Sequence, residues 1–235
     1  MDSLEAELDR ARALDVGELA DAIEAIGFEC TRCGACCKAE TCGEGEADPH
    51  TATVFPDEIR RLQDTGDYDF RDVARPMPYG LDDDGEGETF EWALATDGCG
   101  DCTFYAEDDD GTGACTVHGD RPLICRTYPF SVALGGTSQP MGEAVDSAGS
   151  EIPRADGTAA DGSVDSEGMV RAHECEGLGR DISREDAEDL AAALKERAVR
   201  ELREAIGVRD NYDPVEGETV VYDSEGPKRP DGTPY

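Results

Sequence analysis

Four cysteines near residue 30 form the pattern in this chain with the clearest chemical meaning. Cys30, Cys33, Cys36 and Cys37 have the spacing C-x2-C-x2-C-C. Two-residue gaps let a tight loop direct successive sulfur atoms toward one point, as a tetrahedral zinc site or an iron–sulfur cluster requires. We expect adjacent Cys36 and Cys37 to point in divergent directions, so that either they serve two neighbouring centres or one is a spare thiol.

Later cysteines supply the distant partners that clustered thiolates need. These are Cys102, Cys115, Cys125 and Cys175. With the first four they make eight thiols, the number that two four-cysteine sites would use. Cys42 and Cys99 fall outside this set, and we treat them as extra thiols or substitute ligands. Cys99 and Cys102 form another C-x2-C, so Cys99 either completes a site or forms a redox pair with Cys102.

Three charged or titratable residues accompany the later cysteines. His118 follows Cys115 by three residues, where it is either a metal ligand or, more commonly, a residue packed around the site. Arg121 and Arg126 could offset the charge of thiolates and donate hydrogen bonds to sulfur, which tunes a redox potential. The alternative is that Arg121 begins a turn and Arg126 pairs with a carboxylate.

The ligand type does not by itself choose between zinc and iron–sulfur, because both accept four thiolates in tetrahedral directions. The C-x2-C-x2-C run matches the first three ligands of bacterial ferredoxin clusters, although the C-P continuation is missing. This match favours iron–sulfur, with a 4Fe–4S cluster preferred. The pairs Cys30/Cys33 and Cys99/Cys102 would suit a zinc ribbon, but the 65 intervening residues exceed the usual ribbon length.

The ordered motifs resemble those of the YkgJ-like, CxxCxxCC cysteine-cluster family, whose members are described as zinc- or iron-chelating. The matching segments are FECTRCGACC at 28–37, CTFY at 102–105 and CTVHGDRPLICRTYPF at 115–130. The resemblance covers roughly residues 28–180 and implies metal chelation by the cysteines, but it implies little about activity. His118 stands where such proteins commonly have an aromatic residue, so no role is carried over to it.

The chain is strongly acidic along its whole length. Asp and Glu total 56 against 21 Lys and Arg, which gives a formal charge of −35, and only three residues are Lys. We interpret this balance as adaptation to a salty cytoplasm, as in halophilic archaea. Nucleic acid and anionic lipid would repel such a surface, so we expect neither a nucleic-acid nor a membrane partner. Without a recognisable export signal, we expect a cytoplasmic protein whose thiols stay reduced.

The elements around the cysteines predict an α+β fold, a small irregular domain stapled by metal, with flanking helices and few short strands. We predict helices beginning at Ser3 and at Asp15, the second ending at Gly27, a helix from Pro56 to Gly66, and a long helix capped by Ser183 and ending at Gly207. Alternation of Phe90, Trp92 and Leu94 predicts a strand.

Composition divides the chain into four parts. We expect N-terminal helices at 1–27, a cysteine-cluster metal-binding domain at 28–180, a packing helix at 181–207, and a strand and polar tail at 208–235. Residues 143–167 are rich in acids, Gly and Ser and are predicted to form a mobile loop. The tail from Asp223 is predicted to be disordered.

Three functions are compatible with these residues. The first is a metalloprotein without turnover, an electron carrier or accessory protein with a protein redox or client partner. The second is an iron–sulfur oxidoreductase or a protein-modifying enzyme such as the flagellin lysine methylase, which resembles this chain in its cysteine module. Against an enzyme, the chain has no nucleotide-binding glycine fingerprint, no radical-type C-x3-C-x2-C run and no nucleophile–base pair. The third is a structural zinc domain for protein contacts.

Overall fold

The computed structural model describes residues 3–39, 49–134 and 169–235. The predicted loop at 143–167 and Cys42 lie outside the described residues. The described residues form helices and short strands in small sheets, joined by loops, which confirms the predicted α+β class. The chain divides into two compact units. The first comprises Met1–Thr31 and Arg126–Leu202, and the second comprises Arg32–Cys125 and Arg203–Tyr235.

The elements are numbered in chain order. The α-helices are α1 (Leu4–Ala13), α2 (Val16–Ile26), α3 (Pro56–Gly66), α4 (Phe70–Val73), α5 (Leu123–Thr127) and α6 (Arg184–Asn211), and a 3-10 helix spans His118–Asp120. The strands are β1 (Thr53–Val54), β2 (Ala74–Pro76), β3 (Gly87–Thr89), β4 (Trp92–Leu94), β5 (Tyr105–Glu107), β6 (Gly113–Cys115), β7 (Phe130–Val132), β8 (Val170–Ala172), β9 (Thr219–Asp223) and β10 (Gly226–Lys228).

The described residues of the first unit form helices and a two-stranded sheet. The side chain of Ser3 accepts a hydrogen bond at the start of α1, and that of Asp15 does so at the start of α2, so both predicted caps are confirmed. Gly27 ends α2 with a φ of +75°, which a residue with a Cβ rarely adopts. Strands β7 and β8 pair antiparallel. Arg184, at the start of α6, forms ion pairs with Asp21 and with other acids.

The second unit is built from three small sheets. Strand β4 lies between β1 and β2, β9 lies between β10 and β3, and β5 pairs with β6. Helix α3 begins at Pro56 as predicted and buries Ile59 and Leu62. These side chains form a core with residues from several elements, including Val54, Val73, Trp92, Leu94, Phe104 and Val221. Cys102 belongs to this core, and Cys37, Cys115 and Cys125 pack against it, so hydrophobic packing positions these four cysteines.

Three acidic loops of the second unit share one turn. The carboxylates of Asp82, Asp97 and Asp108 each accept hydrogen bonds from the backbone N–H groups two and four residues later. A glycine with positive φ follows each aspartate by three residues, at positions 85, 100 and 111. Local hydrogen bonds of this kind explain why acidic segments form ordered turns in this chain.

The structure differs from the sequence predictions at three places. Helix α6 does not end at Gly207 but continues to Asn211. A Cβ at Gly207 would lie 2.5 Å from the Cβ of Ser224, so this glycine permits close packing rather than terminating the helix. The predicted strand around residue 92 begins at Trp92, and Phe90 is excluded from it and 47% exposed.

The tail from Asp223 is ordered, which contradicts its predicted disorder. Strand β10 pairs antiparallel with β9, so the tail completes a sheet. The buried carboxylate of Asp223 accepts a hydrogen bond of 2.9 Å from the indole of Trp92. Within the described ranges, no helix has both the length and the apolar character needed to cross a membrane.

A half-buried histidine predicts a pH effect on stability. Burial, with a smaller effect of Arg75, lowers the pKa of His50 to about 4, while Asp101 opposes the shift. Because the folded pKa is depressed, the contribution of His50 to stability is present above pH 6.5 and is lost as the pH falls toward 4. Between pH 7 and pH 5 we expect wild type to lose about 2 kcal/mol more unfolding free energy than His50→Gln. Urea denaturation at both pH values measures this difference, and identical losses would contradict the prediction.

Candidate metal centre

Five thiols of the second unit form the candidate site. We call them the thiol cluster: Cys36, Cys37, Cys102, Cys115 and Cys125. They come from four separate chain segments and lie close enough for their charges to act on one another. The Sγ atoms of Cys36 and Cys37 are 3.8 Å apart. The structure therefore brings together five of the eight predicted ligands.

The loop before Cys36 is held by backbone contacts with β6. Two hydrogen bonds join Arg32 and Gly113. The Gly113 N–H donates to Arg32 O at 2.7 Å, and the Arg32 side-chain Nε donates to Gly113 O at 2.9 Å. The N–H groups of Cys37 and Lys38 both donate to Gly34 O. Arg32 has a φ of +60° and Gly34 has a φ of +79° in this turn, and Cys37 packs against the core of the unit.

Tyr105 supports this loop and was not recognised from sequence, although it lies in the CTFY motif. Its hydroxyl donates to Glu107 at 2.7 Å, and Lys38 forms an ion pair with the same carboxylate. The Lys38 Nζ lies 5.2 Å from the centre of the Tyr105 ring. A Cβ at Gly34 would overlap the Tyr105 hydroxyl. Gly34 within the C-x2-C-x2-C-C run indicated that another group comes close to this loop, but the sequence did not show that this group is Tyr105.

We expect Gly34→Ala to destabilise the protein and weaken metal binding. The substitution places a Cβ at positive φ and against a tyrosine held by Lys38 and Glu107, which we expect to cost about 1–3 kcal/mol of unfolding free energy. The matched control is Gly119→Ala, because a Cβ there has nothing within 4 Å. Chemical denaturation and metal analysis measure both effects. Equal stability and metal content in the two variants would refute the role of Gly34.

Cys125 is positioned by a buried carboxylate near the start of α3. Glu58 is 1% exposed, and its two oxygens accept hydrogen bonds from the N–H groups of Phe55 at 3.2 Å and Leu123 at 3.0 Å. Leu123 is the first residue of α5, the helix that carries Cys125. Glu58 thus joins the start of α3 to the start of α5.

Burial and mutual repulsion keep most of the cluster protonated. Burial raises the pKa of Cys102 to about 11 and also raises the pKa values of Cys115 and Cys125. Neighbouring thiols raise the pKa of Cys125 further, because a second thiolate close to the first is unfavourable. A bound cation would stabilise several thiolates together, so the chemistry of this donor set fits a metal or an iron–sulfur cluster.

Cys36 differs from the other thiols. The hydrogen bond from Cys37 lowers the pKa of Cys36 to about 7, and Arg121 contributes to the decrease. The same hydrogen bond raises the pKa of Cys37. Arg121 also acts to lower the pKa values of Cys115 and Cys125. This supports the hypothesis that Arg121 offsets thiolate charge.

The thiols are clustered but do not yet converge. Among the described residues, no three Cys, His, Asp or Glu side chains have an arrangement that could hold a metal ion. The exposed side chain of His118 lies near Arg121, which lowers its pKa, and its carbonyl oxygen accepts a hydrogen bond from the Arg121 Nε at 3.2 Å.

The other predicted ligands lie outside the thiol cluster. Cys33 is half-buried in the second unit. Cys30 and Cys175 lie in the first unit on neighbouring segments, because Glu29 N–H donates to Gly177 O at 3.0 Å. The Sγ of Cys175 accepts a hydrogen bond from the Gly177 N–H at 3.4 Å. Cys99 is exposed on the Asp97 turn, whereas Cys102 is buried.

Comparison with known proteins gives the general chemistry of these cysteines. A family model described as "CxxCxxCC: Putative zinc- or iron-chelating domain" matches residues 29–176, more than half of the 235-residue chain. The chain belongs to the CxxCxxCC family. No curated protein and no solved structure matches it. The CxxCxxCC range includes the thiol cluster together with Cys30, Cys33 and Cys175, which supports chelation of zinc or iron by this part of the chain.

Proposed function

We propose that this CxxCxxCC protein binds an iron–sulfur cluster, 4Fe–4S in preference to zinc, and serves as an electron carrier or accessory protein. The observation that supports the proposal most strongly is the thiol cluster, since five cysteines from four segments share one electrostatic environment. Burial and mutual repulsion oppose ionisation of these thiols, and a bound cation would replace their protons and stabilise several thiolates together, so the grouping is suited to chelation.

The protein residues have distinct roles in this proposal. Cys36 is the thiol most ready to lose its proton and would bind first. Cys102, Cys115 and Cys125 would follow, since a cation replaces their protons. Arg121 would offset the residual negative charge and thereby affect a reduction potential. When bound, an iron–sulfur cluster supplies one-electron transfer.

The remaining predicted ligands extend the proposal to one or two centres. Cys30, Cys33 and Cys175 complete the set of eight thiols inside the family range. The C-x2-C-x2-C run favours iron–sulfur, because its spacing matches the first three ligands of bacterial ferredoxin clusters. We place the protein in a salty cytoplasm, where thiols stay reduced, with a protein redox or client partner and no nucleic-acid partner.

A structural zinc role is the second candidate. Cys102 belongs to the hydrophobic core of the second unit, and Cys37, Cys115 and Cys125 pack against that core. A metal bound to these thiols would therefore stabilise the packing of the unit, whether or not it also took part in redox chemistry. An oxidoreductase or a lysine-methylase-like enzyme remains a third hypothesis that no feature of the described residues favours.

The visible spectrum of protein purified without air in high salt distinguishes the first two candidates. Iron–sulfur binding predicts a brown protein with broad visible absorbance and with matching amounts of iron and acid-labile sulfide. The colour should bleach when the protein is reduced and return when it is reoxidised. A colourless protein with stoichiometric zinc that unfolds on chelation would instead support the structural role. A colourless protein without either metal would refute both.

A further inference from the structure

The surface of the second unit carries an exposed aromatic group unrelated to the thiols. We call Phe90, Tyr212 and Tyr222 the aromatic platform. The Tyr222 ring is buried and has the Phe90 ring stacked on it, with centroids 5.6 Å apart and planes 24° apart. The Tyr212 ring lies 4.6 Å from Tyr222. Phe90 and Tyr212 are 47% and 43% exposed, so two rings of this group present area to solvent.

The platform is held in place before any partner binds. Phe90 follows β3, which pairs with β9 through Thr89 and Val221. Tyr212 follows Asn211, the last residue of α6, whose side-chain amide donates to Gly207 O at 3.1 Å and Ser224 O at 2.8 Å. The Tyr222 hydroxyl accepts from Val215 N–H at 3.2 Å. Little ordering is therefore required for a ligand to meet these rings.

One carboxylate contacts the aromatic platform, and two others directly follow its exposed residues in the chain. Glu88 accepts a hydrogen bond from the Tyr222 hydroxyl at 3.1 Å. Glu91 and Asp213 are exposed and directly follow Phe90 and Tyr212 in the chain. The nearby basic residue Arg209 is engaged by Asp210 at 2.9 Å. Aromatic faces bordered by carboxylates attract cations through ring quadrupoles and through charge, and they repel anionic partners.

We propose that the aromatic platform is a docking surface for an arginine- or lysine-bearing segment of a partner protein. The cationic group lies over the Phe90 and Tyr212 rings, with Glu88, Glu91 and Asp213 as charge partners. The same unit already contains such a pair, since the Arg229 guanidinium lies 4.4 Å from the centre of the Tyr235 ring. A basic partner is also attracted by the net charge of the whole chain, which is formally −35. This surface is independent of the proposed metal function.

A labelled pentapeptide with two arginines tests the docking surface by fluorescence anisotropy. The titration is performed on the full chain at about 0.5 M salt, which screens the long-range attraction of the acidic surface. The double variant Phe90→Leu, Tyr212→Leu keeps the charge and apolar character but removes the rings. We expect it to bind about fivefold or more weakly, as loss of two cation–ring contacts predicts. A control peptide has both arginines replaced with citrulline, which lacks the charge. We expect this peptide to bind the wild-type protein more weakly than the arginine peptide does.

Two controls separate this result from a general charge effect or unfolding. Tyr235→Leu should leave binding unchanged, because Arg229 already covers that ring. The ring-retaining variant Phe90→Tyr, Tyr212→Phe should bind as wild type does. If the leucine variant does not fold, Glu91→Gln, Asp213→Asn replaces it and must weaken binding at least threefold. Unchanged binding in the leucine variant, equal binding of the citrulline peptide, or no binding by wild type would overturn the proposal.

Discussion

Replacement of Cys102 with Ser is expected to remove at least half of the iron or zinc bound by the native protein. Cys102 is buried in the core of the second unit, and its N–H donates to Cys37 O at 2.8 Å. The Cys102 thiol also raises the pKa of Cys125 and that of Cys37, so it lies among the other candidate ligands. A serine hydroxyl is a poor ligand for soft metal centres, so one thiolate of the site is lost.

Cys99→Ser is the matched control for this prediction. It changes the same atom in the same C-x2-C pair, but Cys99 is exposed on the turn formed by Asp97. We expect its metal content to match that of wild type. Metal analysis of the three proteins, purified side by side without air, gives the comparison. Equal loss in the two variants would assign Cys99 to the site, and full metal content in Cys102→Ser would contradict the proposed ligand set.

Removal of the Glu58 carboxylate is expected to produce the largest loss of stability among the non-cysteine changes. Glu58→Ala leaves the N–H groups of Phe55 and Leu123 buried without their acceptor and opens a cavity in the core. At about 1–3 kcal/mol for each unsatisfied buried group, we expect a loss of about 3 kcal/mol in unfolding free energy. Because α5 carries Cys125, the variant should also release its metal to a chelator faster than wild type does.

Glu58→Gln provides the control for size. The amide keeps one acceptor oxygen and fills the same space, so we expect about half of the loss seen with alanine. Urea denaturation measures the stabilities, and a colorimetric chelator measures metal release. A Glu58→Ala variant within about 0.5 kcal/mol of wild type, the range of ordinary surface substitutions, would show that Glu58 does not support α5.

Local signals predicted the helix starts because their causes lie within a few residues. Ser3 and Asp15 accept hydrogen bonds from residues three positions later, and Pro56 occupies the first turn of α3. A sequence contains all of this information. The α+β class followed from the same short elements.

Errors arose where distant contacts decide the structure. Gly207 does not end α6. A glycine is needed there because Ser224 comes close to its backbone. The tail beyond Asp223 is ordered by pairing with β9 and by the indole of Trp92, which is 131 residues away in sequence. Composition alone makes such a segment resemble a disordered tail.

Cysteine spacing predicted eight metal ligands, and the structure brings five of them together in the thiol cluster. Their role as ligands stays a prediction, and the residues that support them were not predicted. The supporting roles of Tyr105 and Glu58 were not predicted, since each acts through partners far along the chain, such as Gly34 and Leu123. Arg121 was named from sequence, and its effect on three thiols supports that hypothesis.

X-ray absorption at the metal edge of the native protein, purified without air in high salt, tests whether the thiol cluster binds a metal. We expect at least one equivalent of iron or zinc with a first shell of sulfur at about 2.3 Å, and loss of sulfur from that shell in Cys102→Ser. A folded native protein without transition metal, or a metal surrounded only by oxygen and nitrogen, would contradict it.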